Sequence, residues 1–150
     1  MPLGPISAGR KRRDEMSDFR KVTEGLSVSA QISPDEAREA AGGGVVLIIN
    51  NRPDAEAHGQ PLADEIETAT RAAGADYLFN PVVGRPTPEQ ARIQAEAVAN
   101  ASGPVLAFCR SGNRSISAWA LGEAQKGRDP EELVRLAAAA GYDLRAVLLG

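Results

Sequence analysis

Val45-Val46-Leu47-Ile48-Ile49 is an unbroken apolar run, mostly β-branched, set between Gly42-Gly43-Gly44 and Asn50-Asn51-Arg52-Pro53. A short run of this kind, bounded by turn formers, reads as a strand covered on both faces. Such strands belong to parallel sheets with helices above and below. The neighbouring segments supply those partners. Ser33-Pro34-Asp35-Glu36 and Thr87-Pro88-Glu89-Gln90 share one helix-opening pattern. A hydroxyl residue caps, proline takes the first helical position, and an acid or amide closes a capping box. Asp129-Pro130-Glu131-Glu132 opens a further helix. Strands are expected over 26–30, 45–50, 76–81 and 105–108, and helices over 34–42, 61–73, 88–101 and 115–126. The order β-α-β-α-β-α-β-α-α, with a short helix to end the chain, predicts an α/β domain. Its sheet is mostly parallel, four- to five-stranded and flanked by helices, with right-handed crossovers. Residues 18–150 are expected to form that domain behind a flexible tail over 1–17, and Met16 offers an alternative start.

At 150 residues the chain fits one domain with a sizeable core. A single cysteine forms no internal disulfide, and one histidine with one cysteine makes no metal cluster, so neither metal nor cofactor is expected. The net charge of −3 argues against a nucleic-acid partner, and Lys11-Arg12-Arg13 reads as a solvated tail. No apolar run approaches the ~20 residues of a membrane span, and residues 1–13 lack the layout of a signal peptide. A soluble cytoplasmic protein without membrane partners is the expectation.

Ligands of open parallel sheets sit outside the carboxyl ends of the strands. Three loops leave those ends, over 51–59, 82–86 and 109–114, and are expected to share one rim. The last holds the chemistry: Pro104-Val105-Leu106-Ala107-Phe108-Cys109-Arg110-Ser111-Gly112-Asn113-Arg114-Ser115 runs from strand through the only cysteine to a helix start. Gly112 lets successive N–H groups turn inward, and the helix opening at Ser115 adds its positive end. Arg114 contributes a planar charged fork suited to an oxyanion. The pattern predicts Cys109 as a thiolate nucleophile over an anion cradle of Arg110, Ser111, Gly112, Asn113, Arg114 and Ser115. On the neighbouring rim loop, Asp54 is a candidate proton donor, His58 a second one, and Arg52 a second anion clamp. Asn50, Asn51 and Trp119 read as structural.

Cys109-Arg110-Ser111-Gly112-Asn113-Arg114-Ser115 and Asn50-Asn51-Arg52-Pro53-Asp54-Ala55-Glu56 together resemble a bacterial phosphatase-like domain family, also found fused to metallo-β-lactamase-type hydrolases. Ser29-Ala30-Gln31-Ile32-Ser33-Pro34, Gly59-Gln60-Pro61, Asn80-Pro81-Val82 and Ser102-Gly103-Pro104-Val105 extend the resemblance over about residues 17–122. It implies a fold similar to dual-specificity tyrosine phosphatases. Members carry both phosphatase and sulfurtransferase labels, so the resemblance leaves the reaction open. The family usually shows histidine before the cysteine, where this chain has Phe108.

Two features bear on the reaction. Four residues separate Cys109 from Arg114, one fewer than in tyrosine-phosphatase loops and similar to the tighter loop of rhodanese-type sulfurtransferases. Phosphoester hydrolysis also calls for a general acid, worth ~10²–10⁴-fold. In the phosphatases the fold resembles, that acid follows the preceding strand, and here Val82-Val83-Gly84-Arg85-Pro86-Thr87 holds no carboxylate. Sulfane-sulfur transfer through a Cys109 persulfide is therefore the expected reaction. A phosphatase working through phosphocysteine, with Asp54 or His58 as donor, is the alternative, and a silent anion-binding adaptor the third reading. The expected partners are a small anionic substrate, either sulfane-sulfur donor or phosphoester, and a thiol acceptor.

Overall fold

The computed structural model describes residues 19–150, so the expected tail and the Met16 start lie outside the described residues. Five strands form one sheet: β1 (Arg20–Thr23), β2 (Leu26–Ser29), β3 (Leu47–Asn50), β4 (Asp76–Phe79) and β5 (Val105–Phe108). Their spatial order is β1-β2-β5-β3-β4. Only the β1–β2 hairpin is antiparallel; β2–β5, β5–β3 and β3–β4 run parallel. The mostly parallel, helix-flanked α/β architecture is the one expected, with the strand number at its upper value. β1 is the strand the pattern reading passed over. Only Val22 of its four residues is buried, and a register shift between Lys21 and Thr23 interrupts its pairing, so no hydrophobic alternation marks it.

Six helices complete the described residues: α1 (Pro34–Gly42), α2 (Ala63–Ala72), α3 (Pro88–Asn100), α4 (Asn113–Gln125), α5 (Pro130–Ala139) and α6 (Arg145–Leu148). Both expected capping boxes form. Ser33 Oγ accepts from Glu36 N at 3.1 Å while Ser33 N donates to Glu36 at 2.8 Å, and Thr87 pairs with Gln90 in the same way. Asp129 Oδ1 caps α5 through Glu131 N at 3.0 Å. α4 starts two residues before the expected Ser115, because Gly112 takes the cap position with φ 97°.

The sheet separates two apolar layers. Leu106 and Phe108 of β5 pack with Ile48, Ile66, Ala37 and Ala69 under α1 and α2. Val105 and Ala107 face the other way, onto Ile49, Ile116, Trp119, Leu133 and Leu144 beneath α4, α5 and the C-terminal turn. Every residue of β5 is buried, as the central position requires. The chain runs β3 to β4 outward and then returns to place β5 between β2 and β3. Cys109 follows β5 directly at this switch point, where a parallel sheet opens a crevice. No helix among the described residues is long and apolar enough to cross a membrane.

Candidate active site at the Cys109 loop

Cys109 is fully buried, so its sulfur forms the floor of the loop. Its backbone N–H donates to the Ser29 carbonyl at 3.3 Å, and Gln31 N donates to the Arg110 carbonyl at 3.4 Å, which extends the β2–β5 pairing into the loop. The chain then doubles back. Gly112 N–H donates to Cys109 Sγ at 3.1 Å, and Ile116 N bonds the Gly112 carbonyl at 3.0 Å as α4 begins. An amide hydrogen bond and the amino terminus of α4 thus both meet the sulfur.

Gly112 is also a packing requirement. A Cβ there would strike the Tyr142 hydroxyl, which donates to the Ser111 carbonyl at 2.9 Å. Tyr142 lies in the turn between α5 and α6, so the C-terminal segment braces the loop. Ser111 Oγ accepts from Asn113 N at 3.3 Å, while Arg110, Ser111 and Asn113 themselves are exposed. Ser115 is fully buried and its hydroxyl has no hydrogen-bond partner among the described residues.

Arg114 reaches across the rim. Its Nη1 donates to the Val82 carbonyl at 2.7 Å and to Glu56 Oε2 at 2.8 Å, and its Nη2 donates to Glu56 Oε1 at 2.8 Å. Arg52, itself buried, holds the same carboxylate through Nε at 3.0 Å and bonds Gln31 Oε1 through Nη1 at 3.0 Å. Glu56 thus sits between two guanidiniums. Its hydrogen bond from Arg114, helped by Arg52, holds its carboxyl at about 2 from an ordinary 4.5. Arg114 is pushed up in turn, first by Glu56 and further by the Cys109 sulfur, against the opposing effect of burial.

The expected convergence of three rim loops occurs at Arg114, which joins residues 56, 82 and 109. The candidate residues of the 51–59 loop make distinct contacts there. Asp54 Oδ1 accepts from Ala63 N at 2.8 Å, so this carboxylate caps the start of α2. His58 is exposed on the outer part of its loop. Arg52 pairs with the Glu56 carboxylate at 3.0 Å. Glu56 stands four residues from Arg52 in the sequence. Its partner Arg114 is 58 positions away, and no local pattern announces such a pairing.

A buried amide network fixes the rim behind these charges. Asn51 Nδ2 donates to the Asn80 carbonyl at 2.8 Å and to Gln94 Oε1 at 2.9 Å. Gln94 Nε2 returns to Asn51 Oδ1 at 2.7 Å and reaches the Ser115 carbonyl at 3.3 Å. Asn50 Nδ2 donates to Tyr77 Oη at 3.0 Å, and Trp119 is buried against the sheet. The structural reading of Asn50, Asn51 and Trp119 fits these contacts. Among the described residues no three histidine, cysteine or acidic side chains cluster as metal ligands do.

A cysteine at the carboxyl end of the central parallel strand, a glycine-turned loop and an arginine in the first turn of the next helix define a cysteine-phosphatase-like domain. Solved structures agree. A Neisseria meningitidis protein described provisionally as a phosphatase superposes with a TM-score of 0.75 at 32% identity, covering 86% of this chain and 92% of its own. PTPMT1 shares the fold at a TM-score of 0.65 and 19% identity, over 80% of each chain. The family model for the beta-lactamase hydrolase-like protein, phosphatase-like domain, matches residues 18–126, and the chain belongs to that family. The beta-lactamase hydrolase-like protein of Xylella fastidiosa is 42% identical over 130 residues, 84% of this chain. The chain spans only 30% of that relative's length. These descriptions favour phosphatase over sulfurtransferase.

Proposed function

We propose that this domain is a sulfurtransferase that carries sulfane sulfur as a persulfide on Cys109. The observation that carries the reading is a Gly112 N–H bond to Cys109 Sγ beside an arginine fork whose acid, Glu56, is already ionised. Glu56 is held at about 2 and stays ionised near neutral pH. Asp54 is engaged as the cap of α2, and residues 82–87 offer no carboxylate. In the proposed step the Cys109 thiolate attacks the outer sulfur of a thiosulfate-type donor. An S–S bond forms at Sγ as the donor's S–S bond breaks, and the electron pair leaves with sulfite, which needs no proton from the enzyme. An acceptor thiolate then takes the terminal sulfur and regenerates the Cys109 thiolate. The Gly112 N–H and the amino terminus of α4 stabilise that thiolate at both ends of the cycle.

Phosphoester hydrolysis through a phosphocysteine is the second reading, and the family and fold comparisons back it better than sulfur transfer. It requires protonation of a departing alkoxide, worth ~10²–10⁴-fold, while among the described residues Glu56 is held ionised and Asp54 caps α2. The deciding experiment runs thiosulfate-to-cyanide transfer and aryl phosphate hydrolysis side by side, with Cys109→Ser as control. Sulfur transfer that drops at least a thousandfold in Cys109→Ser is the expected result. Cys109-dependent phosphate release without sulfur transfer would replace the first reading by the second. Silence in both assays would favour an anion-binding adaptor.

A further inference from the structure

We propose that Glu56 determines donor specificity: it is a built-in anion in the Arg114 fork that selects singly charged sulfur donors over dianions. The inference rests on the sulfur-transfer reading for its substrate and on the geometry alone for its mechanism. Both Arg114 terminal nitrogens bond the two Glu56 oxygens at 2.8 Å, and Nη1 also bonds the Val82 carbonyl. This fork–fork pairing is the arrangement an arginine would use for a tetrahedral oxyanion, so substrate and Glu56 compete for the same donors. Arg52 is itself engaged, its Nε with Glu56 Oε1 and its Nη1 with Gln31 Oε1, both at 3.0 Å.

The charge count makes the competition selective. Arg52, Glu56 and Arg114 sum to one positive charge, and the Cys109 thiolate cancels it. With Arg110 of the same loop the set carries one positive charge, which a monoanion neutralises. A dianion adds a second negative charge beside Glu56, whose side chain is 26% exposed, so partial screening keeps the preference modest. Alkyl thiosulfonates and organic persulfides carry one charge, whereas thiosulfate carries two. Attack on a thiosulfonate balances: the Cys109 thiolate bonds the outer sulfur, the S–S bond to the sulfonyl group breaks, and the pair leaves with the sulfinate.

The test uses the full chain with Glu56→Gln and Glu56→Ala. Sulfate, a dianion that undergoes no chemistry here, is titrated at constant ionic strength while NMR follows the Gly112 amide. The half-saturating concentration is expected to fall on the order of tenfold in both variants. The kcat/KM of thiosulfate relative to an alkyl thiosulfonate is expected to rise by a similar factor. Sulfate binding that is unchanged or weaker overturns the proposal, because Glu56 then merely orients Arg114. Tighter sulfate binding with no sulfur transfer from either donor keeps the charge filter and discards the sulfur-transfer reading. Should neither variant fold, wild type decides: a donor preference for thiosulfate over the thiosulfonate overturns the inference.

Discussion

Two of the loops that meet at Arg114 place a residue next to their functional side chains in left-handed backbone, Gly112 at φ 97° and Ala55 at φ 66°. Gly112 is buried, and the Tyr142 hydroxyl occupies the space where its Cβ would go. Ala55 is exposed and carries its methyl group outward. The difference shows what each loop is for. The cysteine loop wraps inward around a sulfur and leaves no room for a side chain at its turn. The second loop only has to deliver the Glu56 carboxylate to Arg114, and it can do so with a strained alanine on its outer surface.

Substituting Gly112 by alanine is the most damaging way to test that contrast. The variant combines a left-handed alanine, costing roughly 1–2 kcal/mol, with a clash that pushes Tyr142 off the Ser111 carbonyl. A loss of about 3 kcal/mol in urea unfolding is expected, together with loss of Cys109-dependent turnover. A fully stable and active Gly112→Ala protein would show that the inward loop has slack and that the contrast is wrong.

The second loop should respond more mildly, and through its charges. Asp54→Ala removes the acceptor for Ala63 N and is expected to cost about 1 kcal/mol, the usual worth of a helix cap. Its turnover should stay within a few fold of wild type across the pH range. A collapse of activity there would return Asp54 to the role of proton donor. Glu56 gives a pH signature of smaller size. Its folded pKa lies at about 2 against an ordinary 4.5, so the stability it contributes is fully present above 4.5 and is lost as pH falls toward 2. The pair is partly exposed, with Glu56 and Arg114 side chains at 26% and 17% exposure, so screening holds the effect to about 1 kcal/mol. Denaturant midpoints measured between pH 6 and pH 2.5 should fall less steeply in Glu56→Gln than in wild type.

What the sequence discloses follows the same division. Strand β3, the capped helices α1, α3 and α5 and the strand–cysteine–glycine turn at Cys109–Gly112 are contiguous patterns whose turn chemistry, caps and apolar runs are local, and each is legible. The Arg52–Glu56–Arg114 set, the Asn51–Asn80–Gln94 network and the Tyr142 brace join residues far apart in the chain. Only the sheet order brings them together. Asp54 is ambiguous for a related reason: an acid after proline in a rim loop fits a donor and a cap equally well, and the Ala63 N–H at 2.8 Å shows the cap. Strand β1 escaped because a polar edge strand needs no apolar alternation to pair with β2.

The smallest expected effect is the mirror of the first. Ala55→Gly removes a left-handed penalty of roughly 1–2 kcal/mol, and the added freedom of glycine in the unfolded chain takes back roughly 0.5–1 kcal/mol. A net gain of about 0.5 kcal/mol is expected in chemical denaturation. Glu56 N stays bonded to Gln60 Oε1 at 3.0 Å, and Gln60 Nε2 to the Pro53 carbonyl at 2.9 Å, so the loop keeps its shape around a glycine. Donor preference should then be unchanged, since the carboxylate still reaches the Arg114 fork. A stabilised Ala55→Gly protein whose thiosulfate preference rises would mean that backbone strain, and not only the ion pairs, presses Glu56 against Arg114. The outer loop would then be as constrained as the inner one, with the constraint stored in its backbone torsions instead of in packing.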